Sequence, residues 1–245
     1  MSALSLTIVL PAYNEGDNVD VTVGRVLGVC AAEEVGLDLV LVDDGSTDDT
    51  LARCQRLAAA APDRVRVLSH PKNLGLSAAL RTGYEAARGV HVTWLPADGQ
   101  VDADQLPVLL GPLRTGRADV VISTIPARPD RLARLVVSRA FRLVLRAGIG
   151  FGDRLEGTYV FPKALYDRMA IVSTRGAGSI AFEIAAKAKH LGARMASVEV
   201  ACKPRRAGTS KVGQKLLRNT LESLVEVWRI RRSMRSMHGP MRMNE

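Results

Sequence analysis

The chain is predicted to fold as an α/β domain, an open and mainly parallel sheet with helices on both faces. Two patterns carry that expectation. Short β-branched apolar runs alternate with longer helical stretches through the first half of the sequence, and two of those runs stop at carboxylates, Asp43-Asp44 and Asp98. A buried parallel strand reads as a near-continuous apolar run, and ligands of open α/β sheets bind beyond the carboxyl ends of the strands. The acids stand where a ligand would. Carboxylates there accept hydrogen bonds from a base or ribose and offer hard oxygen ligands to a divalent cation.

The first strand is expected at 5–10, followed by Pro11-Ala12-Tyr13-Asn14-Glu15 and a helix over about 17–31. The second strand, 37–42, leads into Asp43-Asp44-Gly45-Ser46-Thr47-Asp48. The next helix, 48–60, has a start signal in Ser46 or Thr47 as N-cap, with Asp48 and Asp49 in the first turn. A strand at 65–69, a helix at 75–88, a strand at 90–95, a helix at 104–115 and a strand at 119–123 continue the alternation.

Two later segments differ in kind. Between 130 and 147, Arg131, Arg134, Arg139, Arg142 and Arg146 share one side of a helical wheel. That pattern suits a helix in a lipid interface with its arginines on phosphates, and equally a surface helix packed on the core. A last amphipathic helix, 212–232, has Leu217, Leu221, Leu224 and Trp228 in register. With no internal repeat and no low-complexity linker, residues 1–205 are expected to form one domain, and 206–245 a basic loop and helix.

Charge is divided between the halves. Residues 1–127 hold 10 Lys and Arg against 16 Asp and Glu, whereas residues 128–245 hold 24 against 9. The acidic half suits a cation and a hydroxyl-rich ligand; the basic half suits an anionic partner or is simply a solvated face. Phosphate groups or an anionic membrane surface are expected as that partner ahead of nucleic acid, because no nucleic-acid-binding motif is present and the basic runs lack interleaved aromatics. Cys30, Cys54 and Cys202 make neither a disulfide framework nor a zinc pattern, as expected in a reducing cytoplasm. No leader pattern precedes the first strand and no window is apolar enough to span a bilayer, so a soluble or peripheral protein is expected.

Taken in order, five motifs name a family. They are Pro11-Ala12-Tyr13-Asn14-Glu15, Val42-Asp43-Asp44-Gly45-Ser46-Thr47-Asp48, Asn73-Leu74-Gly75 with Arg81 and Gly83, Ala97-Asp98-Gly99-Gln100, and Arg205-Arg206-Ala207-Gly208-Thr209-Ser210-Lys211. Over about residues 5–212 the chain resembles the family 2 glycosyltransferases of GT-A fold, and within them the dolichyl- or polyprenyl-phosphate mannose synthase-like group. The resemblance implies an inverting transfer of a hexose from a nucleoside-diphosphate sugar, GDP-mannose or a UDP-sugar, to a polyprenyl phosphate, with Mg²⁺ or Mn²⁺ as cofactor. It implies that Pro11, Tyr13, Glu15 and Asp44 hold the nucleotide. Asp43 belongs with them or is structural in the turn. Arg81 pairs with a carboxylate of the site or is an ordinary surface arginine.

By the same resemblance Asp98 and Gln100 hold the cation and are the catalytic candidates, with one departure: Pro96 stands where the first acid of the family's Asp-x-Asp-x-Gln motif is expected. For the acceptor phosphate, Arg134 and Ser138 match the Arg-x-x-x-Ser of an interfacial helix. Arg205, Ser210 and Lys211 match the Arg-x-x-Gly-x-Ser-Lys loop, and Arg128 is a looser match. The segment Asp153-Arg154-Leu155-Glu156 departs from the family's acceptor loop, and Asp153 or Glu156 would be the base if the acceptor were a hydroxyl. Glu183 matches a family acid after the acceptor region, with the anchoring of an arginine of the site as its expected role. Many relatives carry C-terminal membrane spans, whereas here a basic helix stands, which implies peripheral binding at the cytoplasmic face of an anionic membrane or a separate membrane partner. Two rival readings are a soluble transferase acting on a hydroxyl of a small metabolite or saccharide, and a non-catalytic sugar-nucleotide binder.

Overall fold

In the computed structural model, residues 4–99, 101–124, 143, 145–150, 157–173, 179–201 and 216–237 are described. The first half alternates as its apolar pattern predicts: β1 (Ser5–Ala12), α1 (Gly16–Ala32), β2 (Gly36–Asp43), α2 (Thr50–Ala60), β3 (Val65–Ser69), α3 (Leu76–Glu85), β4 (His91–Trp94), a 3₁₀ turn (Ala103–Gln105), α4 (Leu106–Arg114) and β5 (Val120–Thr124). The later elements are β6 (Tyr159–Pro162), α5 (Lys163–Asp167), α6 (Ser179–His190), β7 (Met195–Glu199) and α7 (Leu216–Arg235).

The strands form one sheet in the order β3-β2-β1-β4-β6-β5-β7. Strands β1 to β4 are parallel neighbours, β7 is parallel to β5, and β6 runs antiparallel between β4 and β5. Side chains alternate across the sheet, so each strand feeds two cores. Leu6, Ile8, Leu10, Leu39 and Leu41 pack with Val19, Val23 and Val26 of α1 and with Leu106, Leu109 and Leu110 of α4. Val9, Val40, Val42 and Val92 pack on the other face with Leu80 and Tyr84 of α3, Ile180 and Ile184 of α6, and Val227 and Ile230 of α7. Helices therefore cover both faces, as expected for a mainly parallel sheet.

Two local expectations are corrected. Helix α2 begins at Thr50 with Asp49 at the cap position and no side-chain cap. Ser46 and Thr47 are drawn off to Asn14: the Ser46 hydroxyl accepts from Asn14 N–H at 3.0 Å, and Thr47 N–H donates to Asn14 Oδ1 at 2.8 Å. The second correction concerns α7, where Trp228 is not on the packed face. It is 60% exposed, with the Arg232 guanidinium 5.7 Å from its ring, while Val227 and Ile230 are buried. The close contact is made through glycine, since a Cβ on Gly148 would lie 2.4 Å from Val227 Cγ1.

An aromatic cluster fills the centre of the second core. The hydroxyls of Tyr84 and Tyr159 are 2.8 Å apart, and the Tyr84 ring meets Tyr159, Phe161 and Tyr166 edge-on at 6.4, 5.2 and 5.6 Å. Burial pushes all three tyrosines above their ordinary 10.0; it also pushes Cys30 from 9.0 up to about 11 and Cys54 up to about 12. In each case the unfolded chain ionises first. The stabilising contribution is complete below the unfolded values, 9 to 10, and is lost as pH rises toward the folded ones, by about 1.4 kcal/mol per pH unit and group. Lys187, its pKa lowered by burial against the pull of Glu183, has the opposite sign but is one group against five. Urea midpoints are thus expected to fall steeply above pH 10, with tyrosinate absorbance from the cluster rising only as the chain unfolds. Ionisation of these tyrosines in the folded protein near pH 10 would contradict it.

Candidate functional site

The carboxyl ends of β2, β1 and β4 are adjacent, because the chain crosses from β3 over β1 to place β4 on the other side. That reversal opens a crevice between β1 and β4. The loop 11–15 stands at its centre, Asp43 and Asp44 on one side and Asp98 on the other. All three acids are buried, Asp98 the most accessible at 9%.

The centre is built on Asn14, whose φ of 54° turns the chain sharply after β1. Asn14 is tied to Ser46 and Thr47 as described, and Glu15 N–H donates to Thr50 Oγ1 at 2.9 Å. Asp48 Oδ1 accepts from Thr50 N–H at 3.0 Å, and Asp48 Oδ2 from Gly16 N–H at 3.4 Å. Burial raises the Asp48 pKa, but the Thr50 hydroxyl, which donates to Asp48 Oδ1 at 2.5 Å, outweighs it together with these amides and holds the carboxyl below its usual range. The Glu15 carboxylate accepts from Asn18 Nδ2 at 2.8 Å. Pro11 pairs in register with Val42 at the end of β1, and Tyr13 is half-buried in the loop.

The two acids of the pair do different things. Asp44 is tied into the fold: its Oδ1 accepts from Leu74 N–H at 2.9 Å and lies 2.7 Å from His70 Nδ1, and its Oδ2 accepts from Gly75 N–H at 2.8 Å. His70 also lies 3.0 Å from Thr82 Oγ1 of α3. Asp44 thus clamps the 72–75 loop over the sheet edge. Two glycines allow the closeness: Gly75 has φ +92°, and a Cβ on Gly45 (φ +69°) would lie 2.3 Å from the Lys72 carbonyl carbon. Asp43 Oδ2 accepts only a long bond from Ser46 N–H at 3.3 Å, and among the described residues its buried Oδ1 has no partner. A buried carboxylate oxygen left unpaired costs about 1–3 kcal/mol, so it is an atom with capacity for a ligand.

Asp98 sits in a turn after β4, followed by Gly99 at φ +70°. The turn is held from behind by α1: Thr22 Oγ1 donates to the Ala97 carbonyl at 2.8 Å, and Arg25 pairs with buried Asp102. Among the described residues no three His, Cys, Asp or Glu side chains converge as a ready-made metal cage. The donor set still fits a hard cation bound in part by substrate, since Mg²⁺ and Mn²⁺ accept one carboxylate together with phosphate oxygens and waters.

The remaining candidates divide by location. Arg81 lies on α3 with its Nε 4.0 Å from Glu85 Oε1, an i,i+4 contact on its own helix. Gln100, Arg128, Arg134, Ser138, Asp153, Glu156, Arg205, Ser210 and Lys211 lie outside the described residues. Among the described residues the cation beside Glu183 is a lysine: Glu183 is fully buried, accepts from Val172 and Ser173 N–H at 2.9 and 2.8 Å, and pairs with buried Lys187. Sequence reasoning missed His70, Thr50, Thr22 and Arg25, which position the loops of the site. The only signal for any of them was the Ser-Thr-Asp cluster before α2.

Residues 7–172 match the family described as Glycosyl transferase family 2. The polyprenol monophosphomannose synthase of Mycolicibacterium smegmatis is 28% identical over 96% of this chain and 91% of its own length. The dodecaprenyl-phosphate galacturonate synthase of Rhizobium johnstonii is 30% identical over 54% of this chain, which spans only 39% of that longer protein. Among solved structures, glucosyl-3-phosphoglycerate synthase from Mycobacterium tuberculosis, in complex with Mn²⁺, UDP and glucosyl-3-phosphoglycerate, superposes with a TM-score of 0.66 at 24% identity, covering 91% of this chain and 80% of that one. That likeness speaks to the fold.

Proposed function

The chain belongs to glycosyl transferase family 2 and is a glycosyltransferase of GT-A fold, and from that membership we propose that it moves a hexose, with inversion, from a nucleoside-diphosphate sugar to a polyprenyl phosphate. The observation that carries the acceptor is the match to a polyprenol monophosphomannose synthase across nearly the whole of both chains. The reading includes peripheral binding at the cytoplasmic membrane face, directly or through a membrane partner. It is supported by the basic second half; among the described residues no helix is long and apolar enough to cross a bilayer.

In this reading the nucleotide lies over the carboxyl ends of β1 and β2. The unpaired Asp43 Oδ1 accepts a hydrogen bond from it, Pro11, Tyr13 and Glu15 line its pocket, and Asp44 both accepts from the nucleotide on Oδ2 and holds the 72–75 loop. Asp98, with Gln100, holds Mg²⁺ or Mn²⁺, which when bound takes up charge on the departing diphosphate. Arg128, Arg134, Ser138, Arg205, Ser210 and Lys211 hold the lipid phosphate. With a second pKa near 6 that phosphate is largely dianionic at pH 7 and needs no base. One of its oxygens attacks the anomeric carbon as the bond to the diphosphate oxygen breaks, and the electron pair leaves with the nucleoside diphosphate.

The test pairs purified protein and labelled donor with polyprenyl phosphate or with free polyprenol. Transfer to the phosphate alone is expected. Equal transfer to both, or activity only on a soluble hydroxyl acceptor, would overturn the reading and direct attention to Asp153 and Glu156.

A prediction on the donor side follows from the clamp. Asp44→Ala is expected to weaken nucleoside-diphosphate binding roughly tenfold to a hundredfold, the usual worth of a charged hydrogen-bonding group. Calorimetry with GDP and UDP checks it, and unchanged affinity for both would remove Asp44 and its loop from the donor site.

A further inference from the structure

The far end of the helical layer carries a cluster of cations that the proposed reaction does not use. Helix α6 starts at Ser179, whose hydroxyl lies 3.4 Å from that of Ser77 at the start of α3, beside the donor loop. Its twelve residues, at a rise of about 1.5 Å each, carry the chain roughly 18 Å to His190. There residues 148–150, the end of α6 and the last turns of α7 enclose an open cleft of about 330 Å³. Lys189, His190, Arg231 and Arg235 line it beside Ile149 and Met234, and among the described residues no carboxylate lines it.

Several arginines pair with acids: Arg53 and Arg56 with Asp20, Arg194 with Asp119 and Arg229 with Glu226. Arg231 and Arg235 do not, and both line one cleft with Lys189 and His190. Among the described residues neither guanidinium has a hydrogen bond or ion pair, and Lys189 Nζ reaches only the Gly150 carbonyl, at 3.4 Å. Like charges are thus gathered on a concave surface with no paired acid among the described residues, and the contact of Gly148 with Val227 keeps the walls together. An anion relieves that repulsion. Two guanidinium forks and an ammonium match the oxygens of a phosphate, which they bind by paired charge-assisted hydrogen bonds. Beside the cleft, exposed Trp228 and Arg232 form a surface of the kind found at lipid headgroups.

We propose that this cleft is a second phosphate-binding site, apart from the donor site at the sheet edge, which takes the phosphate of an acidic lipid headgroup or of a free phosphate compound. It does not depend on the identity of the sugar acceptor.

The test uses the full chain and two probes. Inorganic phosphate is titrated while the backbone amides of 189–190 and 231–235 are followed by NMR. Sedimentation is measured with phosphatidylcholine vesicles carrying phosphatidylglycerol and with phosphatidylcholine alone. Three proteins are compared: wild type, the triple variant Lys189→Gln, Arg231→Gln, Arg235→Gln, and a control, Arg56→Gln, Arg64→Gln, Arg117→Gln, that removes equal charge elsewhere. Each is first checked by its melting temperature and nucleoside-diphosphate binding. A single Arg231→Gln variant replaces the triple if the triple does not fold.

Loss of roughly tenfold or more in affinity for either probe in the cleft variant, with the control unchanged, is expected. A response to phosphate without vesicle binding identifies a soluble ligand, and anionic-vesicle binding identifies a lipid headgroup. No binding of either probe, or equal losses in cleft and control variants, would overturn the site. Polyprenyl-phosphate transfer failing with cleft binding intact would instead count against the proposed acceptor alone.

Discussion

Replacing Asp98 by Asn is expected to lower metal-dependent glycosyl transfer by roughly a hundredfold or more, from the several kcal/mol a cation contributes at a departing diphosphate. The substitution keeps the shape of the side chain and removes its charge, and a hard cation loses both attraction and a ligand. The fold is expected to survive. The turn is held by Thr22 on the Ala97 carbonyl, by Arg25 on Asp102 and by the left-handed Gly99. Initial rates against Mn²⁺ concentration, with melting curves alongside, check both parts. Near-normal turnover of the variant at limiting Mn²⁺ would move the cation away from Asp98. Asp102→Asn is the matched control: its carboxylate is committed to Arg25, so loss of stability with metal dependence kept is expected there.

The first half of the fold was legible because its strands are buried on both faces and so are written as unbroken apolar runs: Leu39-Val40-Leu41-Val42 cannot be mistaken for a surface. The second half was not. Strand β6 is four residues, Tyr159–Pro162, and its place between β4 and β5 rests on antiparallel pairings with strands more than thirty residues away in the chain. No local period announces such a partner. Helix α6 was hidden by Lys187, a residue type that normally marks a solvated face and here is fully buried.

At the site, strand ends and acids could be read, but not the division of labour between Asp43 and Asp44. That division depends on His70 and on the Leu74 and Gly75 amides, which arrive through folding of a loop thirty residues on. The face α7 turns inward was misread for a similar reason. Trp228 falls in register with the leucines before it, yet the close approach at Gly148 selects the smaller Val227 one position earlier.

Glu183→Gln is expected to destabilise the protein by about 3–5 kcal/mol, the usual cost of stripping a buried ion of its partner. Glu183 and Lys187 are both fully buried, one turn apart on α6. The pair is a junction rather than an isolated bridge. Glu183 takes the Val172 and Ser173 amides, and Lys187 donates to the Ala170 carbonyl and, at 2.9 Å, to Ser233 of α7, whose hydroxyl lies 3.3 Å from the same carbonyl. Neutralising Glu183 leaves an ammonium with carbonyl and hydroxyl partners but no counter-charge. The double variant Glu183→Gln, Lys187→Met removes both charges and is expected to recover part of the loss, because an uncharged buried pair no longer pays for desolvation. Urea unfolding of the four proteins forms a cycle that isolates the coupling. Additive losses, with no recovery in the double variant, would mean that the two side chains contribute only separate packing. Truncation before Ile230 is expected to mimic the damage, since it removes a fully packed core residue together with Ser233. Membrane binding by the α7 arginines is therefore to be tested by charge substitution on its exposed face, where the core and this junction are left untouched.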